Sequence, residues 1–181
     1  MVRALVNALP AGSVQTNAPV THIGKSAPGK VFRVEMAEGV ARECRALVLS
    51  TPAYVTAALV HGLDAEISRL CTEIPYSSIV TVALAFSREH VAHPLNGSGY
   101  VVPRTEGNGI LAATWLSSKW PYRAPEGKVL LRTFIGGARD PEALAQPDTE
   151  LVRRSLAAIR PVLGIGGDPL FTRVYRFDRA S

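Results

Sequence analysis

The sequence is short of the features that usually announce a function. It carries only two cysteines, Cys44 and Cys71, with neither a CxxC pair nor the spacing of a disulfide framework. That argues against a cysteine-stapled scaffold and predicts two small buried thiols in a reducing compartment. Long apolar runs are also missing. No stretch approaches the roughly 20 residues of a spanning helix. The longest clear run, 79–86, is strand-like and interrupted by Thr81. Met1 is not followed by the apolar core of a secretory signal before Pro10. The expected compartment is therefore the cytoplasm, with any membrane contact peripheral. Basic residues outnumber acidic ones by 20 to 15, but they are scattered, and Arg153-Arg154 is the only adjacent basic pair. A nucleic-acid binder would concentrate that charge in a stripe with interleaved aromatics, so nucleic acid is not an expected partner. The mild basic excess suits an anionic surface or a ligand carrying carboxylates.

What is present is the composition of a soluble globular protein, 47% hydrophobic and 19% charged over 181 residues, enough for one domain or one and a half. Val2, Leu5, Val6 and Leu9 fall at helical spacing before the stop at Pro10 and Gly12. A β-meander follows: short strands at 13–16 and 19–23, a third at 31–36 after a Pro28-Gly29 turn, and a fourth at 40–44 after Gly39. The run 46–50 (ALVLS) is continuously apolar and predicts a central strand buried on both faces. Thr51 is the expected cap of the next helix, with Pro52 at its first position. Helices are expected at 53–63 and 65–72, broken at Gly62. Strands are then expected at 78–86, 99–103, 110–115 and 128–135. A helix from Asp148 to about Val162 should bury Leu151, Ser155, Leu156, Ile159 and Val162 on one face and end at Gly164, with a last strand at 171–175. This layout predicts a mixed α+β and α/β fold. Residues 1–62 form a partial nucleotide-binding, Rossmann-like layer without its first βαβ unit. An inserted α+β domain occupies 63–176, and residues 177–181 begin a return to the first layer. Such a layout is expected of the interior of a longer chain.

Conventional catalytic motifs are lacking. Gly97-x-Gly99 is followed by Val102 where a dinucleotide fingerprint needs its third glycine, and Gly164-x-Gly166 follows a helix instead of opening one. No phosphate-gripping P-loop occurs. His90 and His93 have no third ligand nearby and read as loop residues. Ser98 lacks the first glycine of a nucleophile elbow. The segment 109–142 is more suggestive. Trp115, Trp120, Tyr122 and Phe134 gather there, with Lys119 and Arg123 among them. Two readings stay open: core packing, or an apolar pocket with a cationic rim that binds something large and flat.

Several short motifs recur in one order: Ser50-Thr51-Pro52-Ala53, Ile74-Pro75-Tyr76-Ser77-Ser78, Gly97-x-Gly99-x-x-Val102-Pro103, the run from Ser117 to Pro125 (SSKWPYRAP), and Gly136-Gly137-Ala138-Arg139. In these the chain resembles the oxygen-dependent protoporphyrinogen/coproporphyrinogen oxidases, within the flavin-containing amine oxidoreductases. The resemblance covers nearly the whole chain. It implies oxidation of a porphyrinogen to a porphyrin late in haem synthesis, with FAD as hydride acceptor and dioxygen as final oxidant. It also allows a homodimer of the full-length enzyme.

Carried over position by position, the resemblance implies that Val20 contacts the adenine side of FAD. In the second domain it implies substrate contacts at Val101 and Thr114, where relatives carry Leu, and at Phe134, expected to stack on a pyrrole ring. Ser98 stands where a Phe is usual. The family's glycine-rich fingerprint, and an Arg that pairs with a substrate propionate, are expected before Met1. A further FAD-binding segment is expected after Ser181. A chain of this extent alone is expected neither to hold FAD tightly nor to turn over. The alternatives are a carotenoid desaturase or amine oxidase of the same superfamily, or a non-catalytic tetrapyrrole-binding module.

Overall fold

The structure, a computed structural model, describes residues 2–27, 31–107 and 109–180, without the side chains of Ala27, Val31 and Arg139. The chain divides into two compact units, Met1–Pro75 and Tyr76–Ser181. The expected turn at Pro28-Gly29 lies outside the described residues.

The first unit begins with helix α1 (Val2–Ala8), whose apolar side chains are all exposed. An antiparallel meander follows, of β1 (Val20–Ala27), β2 (Val31–Met36) and β3 (Ala41–Cys44). The expected strand at 13–16 does not form. This segment starts in a turn (Ser13 N–H to the Pro10 carbonyl, 3.1 Å) and finds no ladder partner among the described residues; its Gln15 side chain takes a hydrogen bond from Arg42. Nor do residues 46–50 make the expected buried strand. They form no ladder among the described residues, and Val48 is 90% exposed. Apolar β-branched composition favours a strand only where a neighbouring backbone can complete the ladder. Helices α2 (Ala53–Val60) and α3 (Ala65–Thr72) follow. Pro52, not Thr51, holds the cap position of α2; the Thr51 hydroxyl instead meets that of Thr56 at 2.7 Å. Asp64 caps α3 by accepting from the Glu66 and Ile67 N–H groups, both at 3.0 Å, and the buried Ser68 hydroxyl ties α3 to α2 through the Ala57 carbonyl.

The second unit is a five-stranded antiparallel sheet. Its strands are β4 (Ile79–Ser87), β5 (Gly99–Val101), β6 (Ala112–Trp115), β7 (Lys128–Gly136) and β8 (Phe171–Phe177), in the order β5-β6-β7-β4-β8. A single helical turn, α4 (Leu116–Lys119), follows β6, and the long helix α5 (Asp148–Leu163) precedes β8. Strands β4 and β7 pair over their whole length, from Ile79 opposite Gly136 to Ser87 opposite Lys128. Because successive side chains in a strand alternate between faces, one face carries Val80, Val82, Leu84 and Phe86 with Val129, Leu131, Thr133 and Ile135, and all eight are buried. The same core takes in Ala113 and Trp115 of β6 and Leu151, Ala158, Ile159 and Leu163 of α5. The fully buried hydroxyls of Thr133 and Ser155 satisfy each other at 2.7 Å.

The buried stripe of α5 is Leu151, Ser155, Ala158, Ile159 and Leu163, so the expected place of Val162 is taken by Leu163, four residues beyond Ile159, and Val162 points to solvent. Gly99 sits at φ +146, where a Cβ would lie 2.1 Å from the Ala113 carbonyl oxygen; only glycine lets β5 lie this close to β6. Gly136 similarly lets the end of β7 close on the Ser78 carbonyl.

The alternation makes adjacent residues of β7 unequal. Ile135→Ala should lower the unfolding free energy by about 2–5 kcal/mol, whereas Phe134→Ala, on the half-buried open face, should cost no more than about 1–1.5 kcal/mol. Urea denaturation of the two variants checks this, and equal losses would contradict the two-faced sheet. On the core side, the Tyr100 hydroxyl is buried without a hydrogen-bond partner, and burial raises its pKa above the ordinary value. Above about pH 10 unfolded tyrosines ionise while folded Tyr100 stays neutral, so this residue costs stability as pH rises from there toward its folded pKa. Tyr100→Phe should therefore be neutral or slightly stabilising at pH 7, with an advantage over wild type that widens above about pH 10. A pH-independent difference would refute the assignment.

Candidate functional site

On the face of the sheet opposite α5 only the short turn α4 packs among the described residues of this unit, through Leu116, and the side chains of the strands are set by register. One row crosses the strands as Val101, Ala112, Phe134, Thr81 and Tyr175; the next as Gly99, Thr114, Arg132, Ala83 and Arg173. Val101, Thr114 and Phe134, chosen from the sequence, thus lie on one face of β5, β6 and β7. Val101 is exposed at the edge, while Thr114 and Phe134 are half-buried. Beyond these rows stand Leu130, Ala85 and Phe171 on one side, and Ile79 opposite Phe177 on the other.

Side-chain size shapes this surface. The central strand β4 presents only Ile79, Thr81, Ala83 and Ala85, while its neighbours carry larger groups. The result is a trough of about 320 Å³ floored by Thr81 and Ala83 and walled by Leu130, Arg132 and the α4 residue Leu116 on one side and Phe171, Tyr175 and Phe177 on the other. The Arg132 guanidinium lies 4.6 Å from the centre of the Phe134 ring, and that of Arg173 lies 5.7 Å from the Tyr175 ring. Each is a cation–π contact that holds a planar fork flat against an aromatic face. The rows on this face contain no Asp or Glu. Two of its polar atoms, the Thr114 hydroxyl oxygen and Arg132 Nε, are buried without hydrogen-bond partners, and their residues sit opposite each other on β6 and β7.

The aromatic cluster at 115–134 does not form one pocket. Trp115 is buried in the core, its ring 5.7 Å from both His93 and Tyr100. Trp120 is half exposed under the Lys119 ammonium, and Tyr122 is fully exposed. Closeness in sequence misled here because Trp115 turns into the core and, beyond α4, which packs on β7, the chain turns at Tyr122 (φ +64) and leaves Trp120 and Tyr122 facing solvent. The cationic rim is likewise Arg132 and Arg173 rather than Lys119 and Arg123. Those arginines and Tyr175 escaped the sequence reading, although the alternation of KVLLRTFIG and FTRVYRF would have placed them on one face.

His90 and His93 serve their loop. The His90 carbonyl accepts from the Gly166 N–H at 3.0 Å, and His93 Nδ1 accepts from the Leu95 N–H at 2.9 Å. Among the described residues no group of three His, Cys, Asp or Glu side chains converges to hold a metal ion.

Val20 belongs to the first unit. It lines an apolar hollow of about 230 Å³ with Ile23, Val34, Leu47, Val48 and Leu59. These side chains fit the edge of an aromatic ring system such as that of a flavin nucleotide. Groups suited to a pyrophosphate are not among them: Gly97 and Gly99 lie at the start of β5, and Gly164, Gly166 and Gly167 follow α5. No helix among the described residues is long and apolar enough to cross a membrane.

Comparison with known proteins places this geometry in context. The chain is 30% identical over 177 residues to coproporphyrinogen III oxidase of Bacillus subtilis (strain 168), covering 98% of this chain and 37% of that protein. It is 32% identical over 125 residues to the chloroplastic protoporphyrinogen oxidase of Nicotiana tabacum, covering 65% of this chain and 23% of that one. The chain thus spans well under half the length of these relatives. A solved structure of an Exiguobacterium sp. 255-15 protein, provisionally named a protoporphyrinogen oxidase, superposes on 99% of this chain and 38% of its own with a TM-score of 0.77 at 20% identity. A putrescine oxidase superposes on 96% of this chain and 36% of its own with a TM-score of 0.65 at 14% identity. These two likenesses establish the mixed α/β fold. The family model of the flavin containing amine oxidoreductases matches residues 1–181, and the chain belongs to that family.

Proposed function

We propose that this chain carries the substrate-holding part of an FAD-dependent oxidase that converts a porphyrinogen (protoporphyrinogen IX or coproporphyrinogen III) to its porphyrin, with dioxygen as acceptor, in haem biosynthesis. The observation that carries the reading is the sheet face opposite α5, where an apolar trough is walled in part by Arg132 and Tyr175, with Phe134 and Arg173 beside them in the same rows and no acid among those rows. A porphyrinogen combines extended apolar rings with anionic arms, and this face offers both complements. A cationic amine finds no counter-charge there, which weighs against the amine oxidase alternative; the likeness to a putrescine oxidase is one of fold alone.

In this reading FAD, when bound, accepts the hydride equivalents and hands them to dioxygen. This chain's residues bind and orient. Phe134 stacks on a pyrrole ring, Val101 extends the apolar contact at the sheet edge, and Thr114 presents a hydroxyl without a protein partner. Arginine does not give up its proton at physiological pH, so the shelf is built to position a substrate and not to shuttle protons. Val20 and its apolar neighbours would hold a ring of the cofactor. The same proposal gives the protein a cytoplasmic location with peripheral membrane contact and makes the full-length enzyme a homodimer.

With coproporphyrinogen III as substrate, the flavin-loaded enzyme containing this chain should consume dioxygen while porphyrin fluorescence rises. Phe134→Ala should raise KM roughly three- to tenfold, the size of a lost aromatic stack of about 0.5–1.5 kcal/mol. Turnover of an amine or a polyene without any porphyrin formation would overturn the reading.

A further inference from the structure

We infer that Arg132, with Arg173 across the trough, recognises carboxylates of the bound ligand, and so selects a porphyrinogen bearing a carboxylate arm on every pyrrole over one bearing only two. This rests on the porphyrinogen reading above and adds the chemistry that chooses among such substrates.

The argument begins with how the other half-buried arginines of this unit are satisfied. Arg88 donates to the carbonyls of Val91 and His93. Arg154 donates to Asp140, Gln146 and the Gly109 carbonyl. Arg160 has a buried, unpaired Nε, but one of its terminal nitrogens reaches the Gly167 carbonyl and Asp168. Arg132 is half-buried like them, yet among the described residues it has no carboxylate or carbonyl acceptor. Its one recorded contact is the Phe134 ring, and its Nε is buried and unpaired. Buried donors of a charged group are normally satisfied, so an exception on an open face marks a place where a ligand supplies the acceptor. Opposite it, the Thr114 hydroxyl oxygen is also buried and unpaired. One carboxylate could accept from both.

The second cation has a fixed relation to the first. Register places Ala83 directly between Arg132 and Arg173, two strand spacings apart, which is about 10 Å between their Cα atoms. Each guanidinium lies near its own aromatic neighbour, and the small residues Thr81 and Ala83 leave the floor between them open. Two cations at this spacing suit carboxylate arms on different pyrrole rings of one tetrapyrrole. A ligand with a carboxylate on every ring can reach both in any in-plane orientation. One with only two arms can do so in few.

The test is a fluorescence titration of the protein with stable porphyrins as probes: coproporphyrin III, deuteroporphyrin IX with its two carboxylates, and coproporphyrin III tetramethyl ester in the same detergent. Wild type should bind coproporphyrin III more tightly than deuteroporphyrin IX. Arg132→Met should weaken coproporphyrin III about tenfold, the scale of one charge-assisted contact, and leave the tetramethyl ester unchanged; Arg132→Lys should recover part of the loss. The exposed Arg173 should tolerate Arg173→Met without loss of fold, with a drop of about threefold that vanishes in high salt. If both variants bind coproporphyrin III as wild type does, the inference is overturned and the porphyrinogen reading stands. An equal loss for the uncharged ester would overturn it as well, because shape rather than charge would then be at work. If wild type binds none of the three probes, the porphyrinogen reading itself fails.

Discussion

Everything in the second unit depends on the continuous pairing of β4 with β7. Nine residues face nine without a bulge, from Ile79 opposite Gly136 to Ser87 opposite Lys128. An uninterrupted antiparallel ladder keeps a strict two-residue alternation, so every side chain belongs wholly to one face or the other. One set, including Val82, Leu131 and Ile135, is sealed under α5 and supplies the hydrophobic stabilisation. The other, including Ala83, Arg132 and Phe134, faces away from α5 and carries the residues of the proposed ligand face. A slip of one residue would place Arg132 in the core and Leu131 on the surface. The packing that stabilises the fold therefore also fixes the ligand face.

Much of this was legible in the sequence where the determinant was local. The break between α2 and α3 near Gly62, the end of α5 at Gly164, the strands from 79 to 136 and the long α5 follow from periodicity and turn chemistry, whereas the cap at Asp64 was not read from the sequence. What was not legible depended on neighbours distant in the chain. Residues 46–50 have strand composition, but a strand is a relation between two backbones and no partner runs beside them among the described residues. Val162 and Leu163 are both apolar, and only the true angular drift of the helix decides that Leu163 faces inward. The site shows the same division. The resemblance pointed to Val101, Thr114 and Phe134, and the sheet puts them on one face, whereas the dense aromatics at 115–122 scatter between core and solvent. Arg132, in the middle of an apolar strand, stands out only once Phe134 beneath it and Thr114 beside it are seen.

The chemistry that follows is one of restraint. A family whose redox work is done by a flavin needs from this face an apolar floor, aromatic edges and a charge pattern opposite to the substrate's. A site of that kind contains no nucleophile and no acid–base pair, which is why motif-by-motif inspection of the sequence finds so little. Its specificity would come from unpaired donors that only the right ligand can satisfy, a mode of selection in which the wrong ligand leaves buried polar groups unmet.

The central claim is that the open face of β5-β6-β7-β4-β8 is where the flat ligand rests. Hydroxyl-radical footprinting, read by mass spectrometry with and without coproporphyrin III, tests it most directly. The account predicts protection of Phe134, Phe171 and Tyr175, with Trp120 and Tyr122 labelled equally in both states. Protection confined to Trp120 and Tyr122, with Phe134 and Tyr175 unaffected, would contradict it.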